Sequence, residues 1–573
     1  MTDLATSILD AVYQAGTSHV FGIPGDAING LVDAARRHRE VEFVTMRHEE
    51  AGAFAASAQA KLTGKLGVVA GTAGPGAIHL LNGLYDAKLD RAPVLAITGQ
   101  VETGKLGTDY QQEIDLARLF DDVALFSETL VNPEQAPRVI HNAIREAITR
   151  RGVAHLIVPA DLPLVDVEPG EPMTVPDTAD PPADDEAISR AAQLLEQSNA
   201  VTLLVGIGAG DAVSEVLDLA LRLKAPIIKA LRGKALIPDD HPHVIGGIGL
   251  LGTRPSVEAM SRTELLFMIG TDLPYADFYP DDAECIQLDI DPSRIGRRHP
   301  VDVPLIGDSR ATLSVLLSRL GEHPPGPHLE KAQSAMGEWR DELAVAEGDG
   351  AVPIRPQRLA ATIGRHTPPG TIFLCDTGAV TFWTARHLPT KDGDRFTLSS
   401  SLASMAFALP AAIGAQLAFP QHPVVAITGD GGFSMLIGDL MTAVALELPI
   451  TIVVFNNSRL GLIQMEQEAE GLPMHAVDLD NPDFAAVAKA MGAGGVRVES
   501  PDELDAAIRT ALSAEGPTVV DVVIDPDEVT MPPEIRPEFM FGYVTSKVRE
   551  LFSGDGGRGL ENAARQAVER VTR

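Results

Sequence analysis

The sequence predicts an α/β protein of three consecutive domains with mainly parallel sheets, followed by a C-terminal tail. Three observations carry this. Short apolar runs end repeatedly in Gly, Asp or Asn and lead into helix-spaced apolar residues, as strand–turn–helix units do. Two proline-rich stretches interrupt that alternation. The 573 residues, 45% hydrophobic and 22% charged, suffice for three or four separate cores and are too apolar for disorder.

In the first domain, residues 1–165, Leu4, Ile8, Ala11 and Val12 mark an amphipathic helix. A short strand follows, Ser18-His19-Val20-Phe21, running into Gly22-Ile23-Pro24-Gly25. Val41 to Thr45 reads as a second strand, Leu66 to Ala70 as a third and Pro93 to Thr98 as a fourth. Glu49 to Lys61 reads as an alanine-rich helix. The acidic, proline-rich stretch from Pro163 to Glu186 reads as a linker. The second domain, 187–322, has strands at Val201–Val205, Leu265–Ile269 and Cys285–Ile290. Its Gly206-Ile207-Gly208-Ala209-Gly210 is weak as a nucleotide signal, because the spacing is not GxGxxG and strand-to-helix turns often use Gly. Pro324, Pro325 and Pro327 mark a second break, and Pro353 and Pro356 stand beyond it.

The third domain, 355–527, holds the most informative stretch. Val424 to Thr428 ends in Gly429-Asp430-Gly431-Gly432, a helix-like stretch runs from Phe433 to Leu446, and Ile450 to Phe455 ends in Asn456-Asn457. If both apolar runs are parallel strands, Asp430 and Asn457 converge at their carboxyl ends. Two oxygen ligands there suit a hard divalent cation. The glycines let backbone N–H groups and a helix N-terminus approach an anion. A metal holding a diphosphate is the simplest reading; an ordinary strand–turn–helix with Gly in the turn and an Asn cap has the same residues.

Composition narrows the rest. A net charge of −33 argues against nucleic acid as a partner. No apolar run reaches the length of a membrane span, and Met1-Thr2-Asp3-Leu4 does not begin an export signal. The two cysteines, Cys285 and Cys375, lie in or beside strand-like runs without metal-ligand spacing, so two buried thiols in a reducing cytoplasm are expected.

Several stretches taken together resemble one family. They are Arg47-His48-Glu49-Glu50 leading into Ala51-Gly52-Ala53-Phe54, Gly71-Thr72-Ala73-Gly74-Pro75-Gly76, and the GDGG…NN pair of the third domain. The chain resembles the thiamine-diphosphate enzymes of the pyruvate oxidase and acetolactate synthase group over nearly its whole length. Ala230-Leu231-Arg232-Gly233-Lys234, Ile286-Gln287-Leu288-Asp289-Ile290-Asp291-Pro292 and Met531-Pro532-Pro533 place it nearest the quinone-linked pyruvate dehydrogenases of that group.

The resemblance implies pyrimidine-binding, FAD-binding and diphosphate-binding domains in that order, with thiamine diphosphate, FAD and Mg²⁺ as cofactors. It implies that Glu49 drives the proton shift activating the aminopyrimidine; on position alone a first-turn helix carboxylate is equally good. It implies Mg²⁺ ligands at Asp430, Asn457 and the carbonyl of Arg459. Gly74, Ala403, Ser404, Gly431, Gly432, Ser458, Leu460, Gly461, Leu462 and Ile463 would line the thiamine diphosphate. Met405 would hold that cofactor bent, although a methionine in an apolar stretch is more often core. FAD contacts are implied at Leu250, Leu251, Gly252, Thr253, Gly270, Thr271, Asp272, Leu273, Pro274 and Asp289, with the reservation that acetolactate synthases keep a similar domain whose FAD does no redox work. Gln112, Leu462 and Glu466 would stand at the reacting substrate.

The implied reaction is oxidative decarboxylation of pyruvate to acetate and CO₂, with electrons passing through FAD to a membrane quinone. The alternatives are an oxygen-linked pyruvate oxidase making acetyl phosphate and H₂O₂, and acetolactate synthase. Two departures bear on the substrate: Gln111 stands where the family has Phe, and Leu462 where pyruvate oxidases have an aromatic. Losing both should enlarge the pocket for other 2-oxo acids. A homotetramer is implied, at least a homodimer. The tail, 528–573, is basic against the rest: residues 541–573 hold six Lys/Arg and four Asp/Glu, net +2. Leu560, Ala563, Ala564, Ala567, Val568 and Val571 recur at helical spacing. By resemblance the tail docks on the inner face of the cell membrane; a helix packed on its own subunit, or a frayed end, has the same pattern.

Overall fold

The computed structural model describes residues 2–168, 181–528 and Ser546. The middle of the Pro163–Glu186 stretch and nearly all of the tail, with its expected membrane-docking segment, lie outside these residues. Three six-stranded, wholly parallel sheets follow one another along the chain, each flanked by helices.

The first sheet runs edge to edge as Glu42–Thr45, His19–Gly22, Gly67–Gly71, Val94–Gln100, Val153–Pro159 and Ala124–Thr129. Numbered along the chain within the domain, that order is 2-1-3-4-6-5. The third sheet runs Arg395–Leu398, Ile372–Cys375, Val424–Gly429, Ile450–Asn456, Thr518–Val523 and Gly494–Val498. Its order is also 2-1-3-4-6-5, so the first and third domains are two copies of one sheet design. The central strands are buried residue after residue, as parallel strands covered on both faces must be. The second sheet differs: Val244–Gly247, Ile227–Lys229, Val201–Val205, Leu265–Ile269, Glu284–Asp289 and Val303–Ile306 stand in the order 3-2-1-4-5-6. That is the strand order of dinucleotide-binding sheets, whose ligand crevice opens where the order reverses.

The first and third domains share one hydrophobic core. The helix Glu49–Thr63 is buried from Ala51 to Ala60 and packs on the helix Ala408–Ala418. Both are apolar around most of their circumference, which suits a helix with no solvent face. They approach so closely that a Cβ at Gly414 would strike the carbonyl oxygen of Ala55.

Three expectations change. The stretch Phe433–Leu446 is not one helix but Asp430–Met435, a 3₁₀ turn at Ile437–Asp439 and Leu440–Ala445. The break lets the Asp439 carboxylate accept the Arg47 backbone N–H at 2.8 Å, tying the third domain to the strand end before Glu49. The second proline-rich break contains a 21-residue helix, Pro327–Glu347, which uses Pro327 at its first position, where proline needs no N–H donor. Finally, the ends of the Pro163–Glu186 linker are tied down: Asp166–Val167 pairs antiparallel with Thr2–Asp3, and Asp184 caps the helix Asp185–Gln197.

Candidate active site

Strands Val424–Gly429 and Ile450–Asn456 are neighbours in parallel register, Gly429 opposite Phe455, so Asp430 and Asn457 emerge side by side at their carboxyl ends. Asp430 is buried; its Oδ1 accepts the Gly431 N–H at 2.9 Å and its Oδ2 accepts the Asn481 amide at 2.7 Å. Burial pushes its carboxyl up to about 6, and a divalent cation would hold it ionised. Asn457 Oδ1 accepts the Arg459 N–H at 3.1 Å, and a Cβ on Gly461 would lie 2.9 Å from the Asn457 amide nitrogen. The Arg459 side chain is held away by Asp478 at 3.0 Å and Asp527 at 2.8 Å. Ser458, at φ +53°, and Leu460 are pinned through Leu479 N–H and Val477 C=O. Gly461, Leu462 and Ile463 form the first turn of the helix Gly461–Ala469.

The glycines of GDGG are there for space as well as for their amides. A Cβ on Gly431 would meet Leu460 at 3.0 Å and the Met405 methyl at 3.2 Å; one on Gly432 would strike the carboxylate of Asp376. Met405 therefore stands directly over the GDGG turn. Asp376 is buried at the end of Ile372–Cys375, accepts Thr428 Oγ1 at 2.5 Å and the Ala408 N–H at 2.9 Å, and is pushed up to about 6 by burial. The donor set, two oxygen side chains beside a glycine cradle at a helix start, fits a metal-bound diphosphate.

Glu49 opens its helix and is 7% exposed. His79 Nδ1 stands 2.9 Å from its Oε2, and the His79 ring stacks on His48 at 4.6 Å. His48 Nδ1 accepts the Glu50 N–H and so caps the helix. Gly74, at φ +64°, starts the helix Pro75–His79, and a Cβ on it would touch Gln112 at 3.0 Å. Asn82 joins the first and third domains: its amide donates to Glu50 at 2.7 Å and to Ser404 at 3.0 Å. Ala403, at φ +58°, shapes the turn that presents Ser404 and Met405. Gln111, Gln112 and Glu466 are exposed on the single chain, and Leu462 is half-buried.

In the second domain the crevice lies between Val201–Val205 and Leu265–Ile269. Both strands end in glycine there. Gly208 N–H donates to Gly270 C=O at 3.1 Å, and Gly270 has φ +61°. Gly270, Thr271, Asp272, Leu273 and Pro274 follow the strand Leu265–Ile269, and Asp289 ends the strand beside it. Leu250, Leu251 and Gly252 are held by the Arg386 guanidinium, which donates to the Leu250 and Gly252 carbonyls at 2.9 and 3.0 Å. Thr253 Oγ1 donates to Ile245 C=O at 2.7 Å. Leu251 and the Ala230-Leu231 stretch line a small, partly open cavity.

Sequence reasoning did not find Asp376, Asn481, Asn82 or His79. Asp376 had a signal, an apolar run ending in Asp-Thr-Gly like the one ending in Gly-Asp-Gly-Gly. Asn481 had none, since it reaches Asp430 from a loop after another helix.

Comparison with known proteins agrees with this geometry. Three models of the thiamine pyrophosphate enzymes match: the N-terminal binding domain over residues 2–119, the central domain over 188–316 and the C-terminal binding domain over 376–522. A Bacillus subtilis (strain 168) protein, YdaP, named as thiamine pyrophosphate-containing, is 42% identical over 90% of this chain and 91% of its own. The pyruvate oxidase of Lactiplantibacillus plantarum is 33% identical over 91% of this chain and 89% of its own. The acetolactate synthase isozyme 2 large subunit of Escherichia coli (strain K12) is 32% identical over 92% of this chain and 96% of its own. The chain belongs to the thiamine pyrophosphate enzymes, in the group that holds the pyruvate oxidases and acetolactate synthases.

Proposed function

We propose that this enzyme oxidatively decarboxylates pyruvate, or a related 2-oxo acid, to acetate and CO₂, using Mg²⁺-bound thiamine diphosphate and passing electrons through FAD to a membrane quinone. The observation that supports a bound flavin is the 3-2-1-4-5-6 order of the second sheet, with glycine after both strands at its switch point; redox use of that flavin is the part of the proposal that the experiment below decides. Thiamine diphosphate, when bound, supplies a nucleophilic carbon for the substrate carbonyl and a sink for the electrons freed with CO₂.

The chain's own groups have separate tasks. Asp430, Asn457 and the Arg459 carbonyl would hold Mg²⁺; the Gly432 amide would face the diphosphate, while the Gly431 N–H is given to Asp430 Oδ1 and that glycine would serve by its lack of a side chain. Glu49 would exchange a proton with the pyrimidine ring of the bound cofactor, and its burial limits competition from water for the carboxylate. Met405 supports the bent cofactor from above the GDGG turn. Gln112 and Glu466 orient and protonate the substrate. Their exposure on one chain fits a site closed by a second subunit, and a homotetramer is the proposed assembly. Leu250 to Thr253, Gly270 to Pro274 and Asp289 hold FAD. Gln111 and Leu462 widen the pocket beyond pyruvate. Among the described residues no helix is long and apolar enough to cross a membrane. The proposed route to the quinone is peripheral docking of the tail on the inner membrane face.

The test is anaerobic. Pyruvate, Mg²⁺ and thiamine diphosphate are mixed with the flavin-loaded enzyme, and the flavin absorbance is followed. Bleaching followed by reoxidation with a soluble quinone supports the proposal. Reoxidation by oxygen with acetyl phosphate as product points to the oxygen-linked oxidase, and acetolactate without bleaching to the transferase. A panel of 2-oxo acids in which pyruvate alone turns over would overturn the widened pocket.

A further inference from the structure

The turn after the helix Leu81–Leu89 sends two adjacent side chains out of the first domain. Asp90 goes to the third domain, where its carboxylate accepts Ser400 Oγ at 2.6 Å. Arg91, at φ +56°, goes to the second, where its guanidinium lies 3.7 Å from Asp291 and 3.9 Å from Asp289. These are ion pairs at longer than hydrogen-bonding distance, in a setting where Arg91 is 30% exposed and the Asp289 side chain 8%. Burial pushes the Asp289 carboxyl up, and Arg91 opposes that shift. One Asp289 oxygen is fixed by the Asp291 N–H at 2.9 Å. Asp291 and Asp272 are also held by Arg294, at 3.5 and 3.1 Å.

In dinucleotide-binding sheets an acidic residue near the end of the second strand takes the ribose hydroxyls. Here that strand ends in Lys229, which is buried and saturated by the carbonyls of Lys234 and Ile237, both at 2.6 Å, and by Asp239 at 2.8 Å. A strand-end carboxylate stands instead at Asp289, the last residue of the strand next to Leu265–Ile269 on the far side of the switch point, with the first-domain Arg91 3.9 Å from it.

We propose that Arg91 is a positioning residue for nucleotide binding in the second-domain crevice: it holds Asp289 oriented to accept a ribose hydroxyl of the dinucleotide. It does so from another domain, so the nucleotide site is complete only when the first domain is docked. This rests on the flavin reading above.

Equilibrium FAD titration by flavin fluorescence tests it, on the intact chain with Mg²⁺ and thiamine diphosphate present. Arg91→Met should weaken FAD binding roughly tenfold or more, and Arg91→Lys should recover part of the loss. Asp289→Asn should weaken binding by itself, and adding Arg91→Met to it should cost little more, because Arg91 acts through Asp289. Thiamine diphosphate affinity and the melting temperature of Arg91→Met should stay near those of the wild type. Wild-type-like FAD affinity in Arg91→Met would overturn the inference while leaving the flavin reading intact. Full additivity of the two substitutions, or a parallel loss of thiamine diphosphate binding and melting temperature, would overturn it as a global structural effect. A wild type that binds no FAD would overturn both.

Discussion

Glu49 is the residue on which turnover should depend most. Position alone leaves it indistinguishable from any acidic residue in a helix's first turn. Its neighbour Glu50 accepts the Asn82 amide at 2.7 Å and serves the domain junction, whereas Glu49 is buried and, among the described residues, its carboxylate meets His79 Nδ1 at 2.9 Å. A carboxylate with spare acceptor capacity in a dry place can take and return a proton; one committed to an amide cannot do so as freely. Glu49→Gln keeps the size and the reach to His79 but removes the proton. Turnover should fall roughly a hundredfold or more, while the calorimetric affinity for thiamine diphosphate changes only a few-fold. Turnover within a factor of ten of wild type would remove Glu49 from the chemistry. Glu50→Gln should lose much less.

At the scale of elements, the strands were the legible part. Val201–Val205 and Leu265–Ile269 were placed residue for residue, because continuous β-branched and leucine runs closed by glycine have few other uses. The site was legible where it sat on those strand ends, as Asp430 and Asn457 do. It was illegible where it arrived from elsewhere: Asn481 comes from a loop, and no periodicity marks a loop's destination, while Asn82 sits in the first turn of the helix Leu81–Leu89, whose spacing does not say what its polar face meets. Pro327–Glu347 was hidden because only His328, Leu329 and Ala332 along it are buried, so it has no continuous apolar stripe. Two glycines in helices separate packing from propensity. Gly414→Ala drives a methyl into the Ala55 carbonyl of the facing helix and should cost about 1–3 kcal/mol. Gly337→Ala, exposed with nothing within 4 Å of its added Cβ, should stabilise by about 0.5–1 kcal/mol. Urea midpoints of the two variants should move in opposite directions; a shift of the same sign would show that helix propensity, not the interhelical contact, governs Gly414.

For the whole molecule, the question is what makes three domains with separate sheets behave as one body. The shared core of the first and third domains is apolar and non-directional, so it does not by itself fix their angle to the second. Lys61 does so in a directional way. Its ammonium is 2% exposed and sits 2.8 Å from Asp86 and 2.7 Å from Asp90, both fully buried, and donates to the Leu398 carbonyl of the third domain at 3.1 Å. It also lies 4.8 Å from the centre of the Phe407 ring. Asp90 carries the network onward to Ser400 and Ser401 in the third domain and to Arg232 of the second, at 3.8 Å. Lys61 therefore bridges two buried carboxylates where three domains meet, and Arg232 adds a longer contact to one of them. Removing Lys61 leaves Asp86 without its cation and Asp90 with only the distant Arg232, which costs far more than the net worth of the pairs. Lys61→Met should destabilise by about 3–5 kcal/mol. Lys65→Met, on the exposed end of the same turn, should be nearly silent. Converting one carboxylate as well, in Lys61→Met/Asp86→Asn, should recover part of the loss, since fewer charges are then stranded. If the network is what couples the domains, the single variant's urea transition should also broaden or split while the double variant's sharpens again. An unchanged transition width at lower midpoint would mean the network stabilises the first domain alone and the apolar core does the coupling.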